Sequence, residues 1–363
     1  MRHILATLAT TLALGLCAPA FAQQKVVNVY NWSDYIDDKI LEDFTKETGI
    51  KVVYDVYDSN DILETKLLAG KTGYDVVVPT NNYLARLIQA GVLAKLDKGK
   101  LPNLVHMDKE LMGRMANYDA GNDHAVIYLW GTTGIGLNAE KIKARVKNPP
   151  ANSLAMIFDP ALVSKFADCG VNMLDAPDEV IPAVLKFLGE NPNAKDAATL
   201  AKAEAQLKKV RPYIRKFHSS QYINDLANGD TCLAFGWSGD ILQAKSRADE
   251  AKNGVKVQYL LPREGALQWF DSFAVPVDAP NKDNAMAFID YMMNPKVIAR
   301  ASNKVQYPNG NKDSIKFVDK EAMADEDVWP KPEAIKRLYT ITPNNQQQMR
   351  SFTRVWTSVK GGS

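Results

Sequence analysis

The chain is poor in cysteine and histidine and has almost no net charge. It contains three cysteines and four histidines in 363 residues. No histidine sits in an HExxH pattern or beside a cysteine pair at metal-ligand spacing, so no metal site is expected. There is no GxSxG elbow around any serine. Lys and Arg number 44 against 42 Asp and Glu, a formal net charge of +2. Without a long basic run, that balance gives no electrostatic case for nucleic acid. The stretch Gly131-Thr132-Thr133-Gly134-Ile135-Gly136 is glycine-rich, but no GK[ST] follows it and the next residues read as strand. A tight chain crossing is expected there, not a phosphate loop, and no cofactor is expected anywhere. Dispersed carboxylates leave a glycosidase open on composition alone. No nucleophile arrangement supports one, so an enzyme is not expected.

Long apolar runs are also missing after the N-terminus. There, Arg2 and His3 precede LATLATTLALGLCAPAFA, which ends in the A-x-A pattern Ala20-Phe21-Ala22. Residues 1–22 read as a secretory signal peptide. A membrane anchor needs roughly 20 apolar residues, and this run is shorter and threonine-rich. Leu16, not a small residue, precedes Cys17, so Cys17 is expected to leave with the signal and not to carry lipid. The expected location is the periplasm. Cys169 and Cys232 then remain. An even count in an oxidising compartment favours one disulfide, with two buried thiols as the alternative.

What the chain does have is the material for a core: 46% hydrophobic and 24% charged residues, over a length that suits two domains. KVVNVYN (25–31) is β-branched and aromatic, hence a strand. Asp37 or Asp38 caps a helix that Gly49 stops. IKVVYDVYD (50–58) is a second strand, Ser59 or Asn60 caps the next helix, and YDVVVP (74–79) reads as a strand covered on both faces. This βαβαβ order implies an open α/β sheet. Further strands are expected at 125–138, 231–237, 255–262 and 269–277, with helices at 197–216, 241–252 and 284–293.

In such sheets ligands bind beyond the strand ends. Four ends bring an aromatic together with a polar group: Asn31-Trp32-Ser33-Asp34-Tyr35, Pro79-Thr80-Asn81-Asn82-Tyr83, Gly236-Trp237-Ser238-Gly239-Asp240, and Trp269-Phe270-Asp271. Each taken singly reads as a packed aromatic beside a helix cap, and Asp240 before Ile241 is a cap candidate by itself. The recurrence points to a cleft that is both apolar and acidic.

The ordered strings VYNWSDYI, ETGIKVVYDVYDSN, GYDVVVP, WGTTGIGLN, CGVNMLDAPDEV, FHSSQYINDLANGD, GWSGD and FDSFAVP resemble the periplasmic polyamine-binding proteins of bacterial ABC importers, most closely the putrescine-binding type. The resemblance implies an α/β two-lobed clamshell of the type II solute-binding class, each lobe a mixed sheet flanked by helices. Lobe one would take 25–132 and 271–318, and lobe two 133–270 and 319–363. It implies a monomer that hands a polyamine to an inner-membrane ABC permease. Carried over residue by residue, the ligand set would be Trp32, Ser33, Asp34, Tyr35, Thr80, Glu179, Trp237, Asp240, Trp269, Asp271 and Tyr307. Asp240 and Asp271 would meet one ammonium. Glu179, with Ser33 and Asp34, would meet the other. Trp32, Trp237 and Trp269 would wall the methylenes, with Tyr35 and Tyr307 at the sides. Asn82, Ala176 and Ile341 would shape the far end. Ala176 and Ile341 match the putrescine type, whereas Trp269 stands where that type has phenylalanine and the spermidine type tryptophan. Putrescine is the expected ligand, with spermidine or mixed recognition, or another solute on the same fold, as alternatives.

Overall fold

A computed structural model of the chain describes residues 24–361. The expected export signal, with Cys17, lies outside the described residues. Nine strands form one sheet: β1 (Val26–Trp32), β2 (Lys51–Tyr57), β3 (Val76–Val77), β4 (Ala125–Asn138), β5 (Val171–Met173), β6 (Lys216–Phe217), β7 (Leu233–Trp237), β8 (Val257–Leu260) and β9 (Leu267–Ala274). Their order is β2-β1-β3-β9-β4-β7-β5-β6, with β8 also on β4. The β1/β2, β1/β3, β5/β7 and β5/β6 pairs are parallel. Every pair that includes β4 or β9 is antiparallel.

Strand β4 explains how one sheet serves two cores. Its first half pairs with β9, from Ala125↔Ala274 to Thr133↔Leu267. Its second half pairs with β7 and β8, from Thr133↔Trp237 to Asn138↔Val257. Tyr128, Leu129 and Trp130 accordingly pack in a first hydrophobic cluster with β1, β3, β9 and Tyr307. Ile135 and Leu137 pack in a second one with β5, β7 and the helix at Ser238–Ala251. The chain-terminal helix Gln346–Gly361 adds Phe352, Val355, Trp356 and Val359 to that second cluster. Cys169 and Cys232, both buried there, are joined by a disulfide with Cα atoms 5.5 Å apart. The glycines of the 131–136 stretch lie inside β4 and not in a loop. A Cβ at Gly131 would lie 2.6 Å from the Trp269 ring, so that position needs glycine for close approach.

Local chemistry sets most element ends where the residue pattern puts them. Asp37 accepts from the Lys39 N–H at the start of helix Asp38–Thr48, and Gly49 ends it at φ 72°. Ser59 caps helix Asn60–Ala69 through the Ile62 N–H. Three expectations are corrected. YDVVVP keeps only Val76–Val77 as strand, because Pro79 has no N–H for the ladder and Asp75 instead takes the Asn28 and Asn281 N–H groups at 2.7 and 2.6 Å. The 197–216 helix stops at Val210, where Pro212 follows in a 3₁₀ turn, and Lys216–Phe217 becomes β6. The helix expected from Ile241 begins at Ser238, so Asp240 lies in its first turn and is not its cap.

Candidate ligand-binding site

The cavity opens between the two clusters, where β1 and β7 end beside β9; Trp269 and Asp271, expected at a strand end, lie inside β9, which begins at Leu267. Ten of the eleven sequence-predicted binding residues line it: Trp32, Ser33, Tyr35, Thr80, Glu179, Trp237, Asp240, Trp269, Asp271 and Tyr307.

The acids are held by hydroxyl groups. Asp271, on β9 and 4% exposed, accepts from the Thr80 hydroxyl at 2.6 Å and from the Tyr35 hydroxyl at 2.8 Å. Asp240, 9% exposed, accepts from Tyr307 at 2.8 Å and Tyr222 at 2.9 Å. Glu179, in the first turn of helix Pro177–Phe187, accepts from the Thr133 hydroxyl at 2.5 Å. Among the described residues none of the three makes an ion pair with Lys, Arg or His. Burial alone therefore dominates their titration. It pushes Asp240 up to about 6, and Asp271 and Glu179 up to about 7, against the pull of their hydroxyl donors. Neutral O–H donors orient a carboxylate without cancelling its charge. The site is thus built to receive positive charge from outside the chain.

Aromatic rings form the walls. Trp32 meets Trp237 edge-on at 5.7 Å, Trp269 meets Tyr307 at 5.3 Å, and Tyr35 meets Tyr307 at 5.4 Å. The Trp32 indole is fixed by its N–H on the Val78 carbonyl at 2.9 Å. Tyr307 crosses Gly239 so closely that a Cβ there would lie 2.5 Å from its ring, which accounts for the glycine in GWSGD. These faces suit an alkyl chain and attract cations.

Asp34 is the exception. It takes φ 55°, a left-handed turn conformation that Asp tolerates better than most residues. That turn ends β1 and swings the side chain outward, where it is 48% exposed and pairs with Arg247 at 2.9 Å. Asp34 therefore does not face the cavity; it joins the first cluster's edge to the second's at the rim. Ser33 stays at the wall, its N–H and hydroxyl both donating to the Tyr57 carbonyl.

Asn82, Ala176 and Ile341 come together in an outer chamber that shares Trp32, Glu179, Trp237 and Trp269 with the inner one. Residue patterns missed Tyr57, Asp58 and Asn60 on the inner wall, and Tyr222 behind Asp240. Tyr57-Asp58 closes β2 with an aromatic and an acid, the same signature as the other strand ends, so the signal was present in the sequence. Tyr222 sits on a short helix with nothing in the local pattern to single it out.

Two cores sharing a strand, with an acidic, aromatic cavity between them, define a solute-binding protein. The chain belongs to the bacterial extracellular solute-binding protein family, whose model matches residues 39–333. It is 50% identical to the putrescine-binding periplasmic protein SpuD of Pseudomonas aeruginosa, over 98% of this chain and 97% of that one. It is 48% identical to the putrescine-binding periplasmic protein PotF of Escherichia coli, over 94% and 93%. Among solved structures it is similar to the spermidine/putrescine ABC transporter substrate-binding protein PotD of Streptococcus pneumoniae. That likeness has a TM-score of 0.75 at 25% identity and covers 93% of this chain and 99% of that one. Among the described residues no helix is long and apolar enough to cross a membrane.

Proposed function

We propose that the chain is the periplasmic, non-catalytic binding component of an ABC importer, and that it takes a linear diamine, putrescine best, into the inner chamber and presents it to the membrane permease. The observation that carries this reading is the pair Asp240 and Asp271, buried, hydroxyl-held and without a protein cation, between aromatic walls. Burying an ammonium unpaired is very costly. At about 4 Å a carboxylate returns about 4 kcal/mol at an effective dielectric near 20, before desolvation. Asp240 and Asp271 serve one ammonium, and Glu179 with the Ser33 region serves the other. The methylenes lie against Trp32, Trp237 and Trp269. The putrescine-binding names of the relatives support the diamine. Closure about the shared strands would bring residues 25–132 and 271–318 against 133–270 and 319–363.

Spermidine is the second reading, favoured by the outer chamber, which continues past Trp237 and Trp269 towards Asp61 and Asp178. Calorimetric titration with putrescine, cadaverine, agmatine and spermidine separates the two. The diamine reading expects one-to-one binding with putrescine tightest, and thermal stabilisation of about 2.7 kcal/mol at a hundredfold excess over Kd. No heat and no thermal shift with any of the four amines defeats it.

A further inference from the structure

The outer chamber leads to the surface through a passage lined by Asp58, Asp61, Asp175 and Asp178, and one arginine stands in that passage. Arg86, on helix Asn81–Gln89, has a side chain only 9% exposed. Its Nε and Nη2 donate to the two Glu64 oxygens at 2.8 and 2.9 Å. Its guanidinium lies 3.9 Å from the centre of the Tyr83 ring, and the Tyr83 hydroxyl in turn donates to Asp61 at 3.0 Å. These contacts hold the planar fork in one orientation. The remaining nitrogen, Nη1, is buried without a hydrogen-bond partner and lies 3.7 Å from Asp178 Oδ2, which belongs to a helix of the second core. Asp178 also accepts from Asn82 at 3.1 Å and from Asn344 at 3.3 Å.

We infer that Arg86 is a specificity-determining residue: its immobilised charge, set among Glu64, Asp61 and Asp178, takes the place a third ammonium would need and ends the cleft after two amines. The inference rests on the polyamine reading above. The contrast with the inner chamber is one of chemistry. Asp240, Asp271 and Glu179, held by hydroxyls, remain available to a cation, whereas Glu64 is taken by the Arg86 guanidinium, which also stands beside Asp178 and leaves Asp61, on the Tyr83 hydroxyl, as the passage's acid without a cation. A diamine seated against Asp240, Asp271 and Glu179 does not reach the passage. A triamine extending along Asn82 and Ile341 brings its last ammonium towards Arg86, where like charge opposes it. Asp178 partly offsets that opposition, so the two residues have opposite signs of effect.

The test is the ratio of putrescine Kd to spermidine Kd, measured calorimetrically in the wild type and in Arg86→Gln, the double variant Arg86→Gln with Glu64→Gln, and Asp178→Asn. The double variant removes the pair together, so a folding failure of Arg86→Gln caused by unpaired Glu64 does not end the experiment. The ratio is expected to rise at least tenfold in the Arg86 variants, in favour of spermidine, and to fall at least threefold in Asp178→Asn. Equal weakening of both amines, with the ratio unmoved, would make Arg86 a packing element and overturn the inference. So would Asp178→Asn moving the ratio in the same direction as the Arg86 variants. A wild type that binds neither amine defeats the polyamine reading, and this inference with it. A wild type that binds putrescine, with variants of unchanged ratio, defeats only the role of Arg86.

Discussion

The two halves of the cleft are acidic in different ways. In the inner half, Asp240, Asp271 and Glu179 are oriented by Thr80, Thr133, Tyr35, Tyr222 and Tyr307. In the outer half, Glu64 and Asp178 surround Arg86. In the outer half a guanidinium compensates part of the acidic charge, whereas in the inner half no protein cation does, at the expense of carboxyls that burial pushes towards neutrality. A count of acidic residues would score the two halves alike. The identity of the donor separates a receptive acid from a neutralised one.

The largest expected effect comes from removing a receptive acid. Asp271→Asn keeps the shape and the Tyr35 and Thr80 neighbours but leaves an ammonium facing an amide. Truncating one member of a buried, hydrogen-bonded charge pair costs about 2–5 kcal/mol, so putrescine affinity should drop at least tenfold by calorimetry. The matching change in the outer half, Asp178→Asn, should affect putrescine far less. Equal losses at the two positions would abolish the distinction between the halves.

The next effect is pH. An alkylammonium such as that of lysine titrates near 10.4 and stays charged throughout, whereas the receptive acids titrate at about 6 and about 7. Pairing requires them ionised, so binding releases protons, and putrescine affinity should rise about tenfold or more from pH 5.5 to pH 8. The stability linkage of the ligand-free protein runs the other way. A carboxyl whose pKa is higher folded than unfolded favours the fold when protonated. That contribution is full below the unfolded value near 4 and disappears as pH rises through about 6–7. Thermal stabilisation by ligand should therefore grow over the same window. A flat profile would mean that these acids do not meet the ligand.

Much of this site was legible because strand ends leave a local mark. Trp32, Thr80 and Trp237 each follow or close an apolar run, and the sheet gathers those ends into one cavity beside Trp269 and Asp271, which lie inside β9. Tyr57 and Asp58 carried the same mark and were passed over. What the residue pattern could not show is side-chain direction after a backbone turn. Asp34 sits between two cavity residues, and only its φ of 55° sends it to the rim. Nor could it show the donors: Tyr222 and Tyr307 reach Asp240 from 18 and 67 residues away. The fold was readable for a related reason. β-branched runs and glycine stops are local, whereas the sharing of β4 between two cores is a pairing decision made over more than a hundred residues.

A moderate effect should follow from Gly239→Ala. The added methyl would lie 2.5 Å from the Tyr307 ring and must displace it from Asp240. Putrescine affinity should fall about fivefold, with a lowered Tm in thermal unfolding, since overpacking costs about 1–3 kcal/mol. An unchanged affinity would show that Tyr307 is not what orients Asp240.

The smallest effect tests the corrected residue. If Asp34 faced an ammonium in the cavity, Asp34→Ala would cost as much as Asp271→Asn. At the rim it makes a half-exposed pair with Arg247 that spans the two sides of the cleft, and exposed pairs contribute about 0.2–1 kcal/mol. Asp34→Ala should therefore weaken putrescine less than about fivefold, chiefly through faster dissociation, because the pair forms only when the sides are together. Arg247→Ala should weaken it to the same degree, and the double variant no further than either alone. The effect should also shrink as salt is raised, since the pair is screened while the buried Asp271 contact is not. A loss of tenfold or more from Asp34→Ala, insensitive to salt and absent in Arg247→Ala, would return Asp34 to the binding site.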